Sequence, residues 1–366
     1  MQLYNKAVYS SNTMTSMLPA TCLLAFMLCF APSANAQHDA PQKGAAPLLI
    51  ASVQTNPHDL LPLHAFSTPS AQAAQAIALQ AGWKELTDRL ISDGFDPAYI
   101  YLLYARLGED YSPDPMARKI KTLYKRKYAP PPKKSKPAAK APAKKGPPPV
   151  YKGVVTKANI EKTAAFMQQH RDTLLAAEKK YGIPAEVATG LLFVETRLGA
   201  FLGSAAALHN LSSLAATGDV TYMQAELSAL DLQTQHKLEW TNTRTRQKAD
   251  WAYKELKALL AWSQEHNLDP VAMPGSIYGA VGLCQFMPTN ISLFGADGDG
   301  NGKVNLFSVP DAVFSLSRYL HEHGWKEGIT RQKQHKVLMK YNKSTIYANT
   351  ILALADELKK YTAATP

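Results

Sequence analysis

The chain has 366 residues, 46% hydrophobic and 19% charged, with a formal net charge of +11. That length allows more than one domain and a sizeable core, and the ordinary charged fraction excludes a chain disordered throughout. The positive excess is local: Lys125, Arg126, Lys127, Lys133, Lys134, Lys136, Lys140, Lys144 and Lys145 form one stretch without an acid, so the remainder is nearly balanced and a nucleic-acid-binding face is excluded.

In chain order, the first feature is the short apolar run Leu18 to Ala31, followed by Ala34-Asn35-Ala36. The run is too short and wrongly flanked for a stable membrane span. The small-residue pair reads as a cleavage site, with residues 1–36 a signal peptide and Gln37 the mature start. Export to the cell envelope follows, to the periplasm in a Gram-negative cell. Two of the three cysteines, Cys22 and Cys29, fall in this leader. Cys284 is left alone, which excludes an internal disulfide and a cysteine-based zinc site. Residues 37–73 lack a sustained period and read as disordered.

Residues 74–128 read as a small helical segment. Trp83, Leu86, Leu90 and Ile91 form one stripe, Asp96-Pro97 opens a second helix with Tyr99, Ile100, Leu103 and Leu107 inward, and a third runs from Pro115 through Tyr124. Residues 129–150 are rich in Pro and Lys and read as an extended, semi-rigid tether. Such a tether is either a solvated spacer or an electrostatic hold on an anionic wall polymer. The third unit is 151–366.

Within it, Ile160, Ala164, Phe166, Met167, Leu174 and Leu175 predict one long helix. A second helix opens at Pro184 and stops at Gly199, with Val187, Ala188, Leu191, Leu192 and Leu198 in its apolar stripe. Glu195 lies in that stripe. A carboxyl on an apolar face is desolvated, which raises its pKa and keeps its proton near neutral pH, as a general acid requires. The competing reading is a buried Glu satisfied by a neighbouring Arg or backbone group. Residues 217–248 are polar and Gln/Thr-rich, with Arg244, Arg246 and Lys248 at their end, and the next helix is expected from Trp251.

Three further stretches carry chemistry. Gly275 to Pro288 holds three glycines in eight residues, which permits close backbone approach; Ser276 and Gln285 offer hydrogen bonds and Phe286 a flat face for a sugar. Asp297, Asp299, Asn301 and Lys303 stand at positions one, three, five and seven of a calcium-type loop with Gly302 at six, but position twelve is Ser308 rather than a carboxylate, so binding should be weak. The same loop could simply join two helices. Near the C-terminus, Tyr319, Tyr341, Asn342 and Tyr347 suit carbohydrate contacts or a core, and His321 and His323, two apart, do not form a metal pair.

Taken together, the order Val-Glu-Thr-Arg-x-Gly, Gly-Ser-x-x-Gly-Ala-x-Gly-x-x-Gln-Phe-Met-Pro, an Asp/Asn/Gly loop, His-Gly-Trp and Tyr-Asn-x-Ser-x-x-Tyr-Ala resembles the membrane-bound lytic transglycosylase B family over about residues 157–360. The resemblance implies a mainly α, lysozyme-like catalytic core acting on peptidoglycan glycan strands. It implies Glu195 as the single catalytic acid, Ser276, Gln285, Phe286, Tyr319, Tyr341, Asn342 and Tyr347 as cleft residues, no required cofactor, and a weak structural Ca²⁺ at the Asp297 loop. The implied reaction cleaves the MurNAc–GlcNAc bond without water and leaves 1,6-anhydro ends. The alternatives are a lysozyme-type muramidase and a non-catalytic wall-binding protein. Leu283-Cys284 departs from the family pattern and would place an unpaired, oxidation-sensitive thiol near substrate. The segment over 217–248 is longer than the family's loop, and the tether is not a usual family feature.

Overall fold

The computed structural model describes residues 69–128 and 148–364; the leader, residues 37–68 of the stretch expected to be disordered and residues 129–147 of the tether lie outside them. The regular structure of the described residues is almost wholly helical. Helices α1 (Ala71–Gln80), α2 (Lys84–Ser92), α3 (Pro97–Leu107) and α4 (Asp114–Tyr128) make up the first segment. Asp96 caps α3 by accepting from Tyr99 N, with Pro97 at the first helical position as its sequence predicts. Trp83, Leu86, Leu90, Ile100, Leu103 and Ile120 are buried in one apolar cluster with residues from the rest of the fold. Polar stitches reinforce it: Tyr104 Oη meets Ser212 Oγ at 2.7 Å, and Arg106 pairs with Asp269 at 2.5 Å. The first segment therefore shares a core with residues C-terminal to the tether.

After the tether, α5 (Lys157–Gln169) and α6 (Arg171–Tyr181) replace the single long helix expected from periodicity. The break is His170, whose φ of −111° leaves the helical region. The hydrophobic period carries across such a break, so periodicity alone does not reveal it. Helix α7 (Ala185–Thr196) follows, then β1 (Ala205–Ala206), α8 (Ala207–Ala216), a short α9 (Gln224–Leu227) and α10 (Gln235–Glu265). The second half of the polar 217–248 segment is thus not loop but the start of a 31-residue helix. Its inward face is Thr241, Thr245 and Ala249, all buried, and the threonine hydroxyls donate to Lys237 O and Thr241 O one turn back. Hydroxyls satisfied in this way pack as small residues yet leave no hydrophobic period to read.

Strand β2 (Pro274–Gly275) pairs antiparallel with β1, placing Ala205 opposite Gly275. The chain then forms the glycine-rich turns, α11 (Pro288–Phe294), the Asp297 loop, α12 (Val309–Glu322), α13 (Arg331–Tyr341) and α14 (Thr345–Ala364). No helix among the described residues is long and apolar enough to cross a membrane.

Candidate active site

Helix α7 is buried on nearly every side; only Glu186 and Val194 are not. An α-helix apolar all round belongs in a core, and here α5, α6, α12 and α14 enclose it. Pro184 is its cap residue rather than its first turn, and Glu178 of α6 accepts from Ala185 N at 3.1 Å in place of a local cap. The helix ends at Thr196, earlier than Gly199. Arg197 (φ 55°), Leu198 (φ 63°) and Gly199 (φ 89°) all sit in the left-handed region, so Leu198 is not part of the helical stripe. Gly190 faces α14 across the contact between the two helices: a Cβ there would stand at ordinary contact distance, 3.4 Å, from Ile351 O. That crossing, five residues before Glu195 and four after Tyr347, brings the two side chains together.

Glu195 is 6% exposed, and Tyr347 Oη donates to its Oε1 at 2.5 Å. Burial raises its pKa from 4.5 to about 7, and the tyrosine hydrogen bond opposes that rise. Among the described residues, no arginine or other carboxylate contributes to its shift. The competing satisfied-by-Arg arrangement is therefore not what the fold builds.

The glycine-rich run supplies the adjoining wall. Thr196 Oγ1 donates to Leu283 O at 2.9 Å, and Tyr341 Oη donates to Cys284 O at 2.5 Å. The two carbonyls are thereby gripped from α7 and from the end of α13. Glycines make the fit possible: a Cβ on Gly279 would lie 2.3 Å from Leu211, and one on Gly282 2.5 Å from Leu306. Ser276 Oγ accepts from Ala280 N at 3.0 Å within its own turn, and Asn210 Nδ2 donates to Ser276 O.

Several residues that the motifs place on a cleft are turned inward. Phe286, expected to offer a face to a sugar, is 1% exposed and packs between Tyr319 and Tyr341 at centroid distances of 5.7 and 5.9 Å. Gln285, held at φ 51°, points its amide into the fold and donates to Gly282 O and Leu202 O. Tyr319 is buried and donates to Lys340 O; Asn342 is buried at the end of α13. Cys284 is fully buried and its thiol is pushed far up by burial, with Glu195 adding to the rise. A thiol of that kind is inert, which corrects the expected oxidation sensitivity. Arg244 and Arg246 are exposed on α10, whereas the Lys248 ammonium stands 5.7 Å from the Trp251 ring centroid. Sequence reasoning missed Lys119, a buried lysine of α4 with its ammonium 3.5 Å from the Tyr278 ring and 4.6 Å from Trp251. Nothing in its local sequence marks it.

The Asp297 loop holds an oxygen-rich cluster. One carboxylate oxygen each from Asp297, Asp299 and Asp311 lie within 4.8 Å of one another. Asp297 accepts from Gly300 N, Asn301 N and Gly302 N, which curls the loop around its carboxylate and lowers its pKa. Position twelve itself, Ser308, caps α12, and the third carboxylate comes from Asp311 in the first turn of that helix, whose oxygens accept from Gly298 N and Asn305 N. Three converging carboxylates are the kind of oxygen donors that a hard divalent cation takes. The signal for Asp311 was the Ser308-x-x-Asp311 capping pattern.

Comparison with known proteins identifies the family and the fold. A sequence model described as "Transglycosylase SLT domain" matches residues 79–334, well over half of the chain. The membrane-bound lytic murein transglycosylase B of Escherichia coli K12 is 28% identical over 177 residues, 48% of this chain and 42% of that protein, so the match spans less than half of the relative's length. Among solved structures, the Escherichia coli lytic transglycosylase Slt35 in complex with calcium aligns with a TM-score of 0.55 at 19% identity, covering 77% of this chain and 93% of that one. SltB3 from Pseudomonas aeruginosa in complex with NAG-NAM-pentapeptide aligns with a TM-score of 0.51 at 18% identity, covering 79% of each. At these identities the structural likeness is one of fold, and it is the mainly α, lysozyme-like fold that the motifs imply. With the matched region running from α1 into α13 and enclosing Glu195 and the glycine-rich turns, the chain belongs to the SLT-domain transglycosylase family.

Proposed function

We propose that the chain is a lytic transglycosylase that cleaves the β-1,4 bond between N-acetylmuramic acid and N-acetylglucosamine in peptidoglycan and leaves a 1,6-anhydro end. The observation that carries this reading is the isolation of Glu195: a buried carboxyl with a pKa of about 7, one tyrosine partner and, among the described residues, no second carboxylate acting on it. Near neutral pH such a group is available both as acid and as base. Its proton passes to the glycosidic oxygen as that C–O bond breaks, and the glucosamine side leaves as an alcohol. The muramic C6 hydroxyl oxygen then bonds to the anomeric carbon, and its proton returns to the Glu195 carboxylate. Atoms balance without water. A hydrolase would ordinarily use a second carboxylate to activate water or to trap the sugar. The exported, envelope-located reading and the role of the tether as a spacer or wall hold belong to the same proposal.

The test is mass spectrometry of fragments released from sacculi. Muramic ends one water lighter than reducing ends support the transglycosylase, reducing ends indicate the muramidase, and sacculus binding without release indicates a non-catalytic wall protein.

Tyr347→Phe probes the pairing. The lost hydrogen bond favoured the carboxylate, so burial acts unopposed and the Glu195 pKa rises further. Activity that requires protonated Glu195 falls as pH rises through its pKa. The alkaline limb of the pH–rate profile should therefore move up by about one unit in the variant. An unmoved or lowered limb would rule out this pairing as the cause.

Ca²⁺ is proposed as a weak structural ligand of Asp297, Asp299, Asn301, Lys303 and Asp311, with no part in the reaction. Calcium at about tenfold its dissociation constant should stabilise the fold by about 1.4 kcal/mol, read as a higher Tm. Asp299→Asn should abolish that rise; a Tm indifferent to calcium in the unsubstituted protein would rule the site out.

A further inference from the structure

A glycan-cleaving site needs a flat apolar face for the sugar strand; of the four aromatic side chains assigned to it by sequence, Tyr341 is half-buried with its hydroxyl donating to Cys284 O, and the other three are buried. Phe286, Tyr347 and Tyr319 are 1%, 2% and 8% exposed. Phe201, which the motif reading passed over, is 47% exposed. Single exposed apolar side chains are ordinary on protein surfaces. Phe201 differs in how firmly its backbone is held where it is. Its N–H donates to Thr196 O at 3.0 Å, on the residue directly after Glu195. Between the two, Arg197 and Leu198 are consecutive non-glycine residues in the left-handed region. On the far side, Leu202 O accepts from Gln285 Nε2, and Gly203 lies so close to Gly275 that a Cβ would stand 1.9 Å from its carbonyl oxygen. Backbone strain of this kind persists where the surroundings over-determine it, and it concentrates at ligand-handling sites.

We propose that Phe201 is a stacking platform for a pyranose ring of the glycan strand, seated on a rigid loop that leaves the Glu195 helix and is clamped by the glycine-rich run. The inference rests on the reading of the chain as a glycan-cleaving enzyme. A hexopyranose has a C–H face and a hydroxyl rim. The phenyl ring takes the face, leaving the rim to polar groups and water. Its contribution is to holding the strand in place, before any bond breaks.

The test uses the full chain with Phe201→Ala and Phe201→Tyr, assayed on solubilised glycan strands. Phe201→Ala should raise KM about 5- to 20-fold, with the loss carried by KM rather than kcat and with Tm unchanged. Phe201→Tyr, which keeps the ring, should restore the wild-type KM. An unchanged KM in the alanine variant overturns the proposal. So does a fall in kcat accompanied by a lower Tm, which would make the ring part of the loop's own packing. A second measurement separates this inference from the enzymatic reading: binding of hexa-N-acetylchitohexaose to Glu195→Gln protein with and without Phe201→Ala. Binding weakened about 5- to 20-fold by the second substitution supports the platform, and equal binding overturns it. If the wild-type protein releases no fragments, the enzymatic reading fails, and the binding pair alone decides the role of Phe201.

Discussion

Glu195→Gln is expected to lower the rate of glycan cleavage by about 10²- to 10⁴-fold while leaving the fold intact. Glutamine has the same shape and can still accept from Tyr347, but it has no proton to give and no basic oxygen to take one back. Because one residue performs both transfers in the proposed reaction, no neighbour can substitute. The same substitution should change stability in a pH-dependent direction. The Glu195 pKa is raised from 4.5 to about 7, so between those values the folded state holds a proton that the unfolded chain has shed. Wild-type stability therefore falls as pH rises through that window, by at most about 3 kcal/mol. Glutamine carries no such penalty. The variant should melt close to wild type at pH 4 and above it at pH 8, while its activity is low throughout. A variant that stays active, or that is less stable than wild type at pH 8, would mean that Glu195 is not the sheltered acid described here.

Gly203→Ala is the second large effect. A Cβ at Gly203 would lie 1.9 Å from Gly275 O and 2.3 Å from its carbonyl carbon, and the backbone φ of 132° is one that only glycine adopts freely. Neither atom belongs to a flexible side chain, so relief requires the loop and the glycine-rich run to separate. Strain and overpacking together should cost about 3–5 kcal/mol. The damage reaches the site, because the same contact holds the Gln285–Leu202 bond and the β1–β2 pairing. Gly218 is the control: a Cβ there meets nothing within 4 Å and its φ is not in the left-handed region, so Gly218→Ala should be near neutral. Urea unfolding of both variants checks this. Equal midpoints would show that the close approach of Gly203 and Gly275 does not hold the fold together.

Much of this site was legible because its signals are local. Pro184, Asp96-Pro97 and the apolar spacing around Glu195 announce helices, and the glycine spacing at 275–282 announces backbone contact. What was not legible depends on partners far along the chain. Phe286 looks like a sugar platform until Tyr319 and Tyr341 are seen to cover it. Cys284 looks reactive until the fold buries it beside Glu195. The start of α10 looks like loop because Thr241 and Thr245 satisfy their hydroxyls within the helix and leave no apolar stripe. Asp311 completes the acidic cluster from outside the twelve-residue loop pattern, carried there by the first turn of α12. Phe201 could not be singled out, since its exposure follows from left-handed turns at Arg197 and Leu198 that no side-chain pattern encodes.

The most direct measurement is the protonation of the one carboxyl on which the chemistry depends. With ¹³C-labelled glutamate side chains, the signal absent from Glu195→Gln protein identifies the residue, and its chemical shift can be followed with pH. A midpoint near pH 7, moving upward in Tyr347→Phe, is the expected result. A midpoint at or below 4.5, the ordinary value for a solvated glutamate, would contradict it.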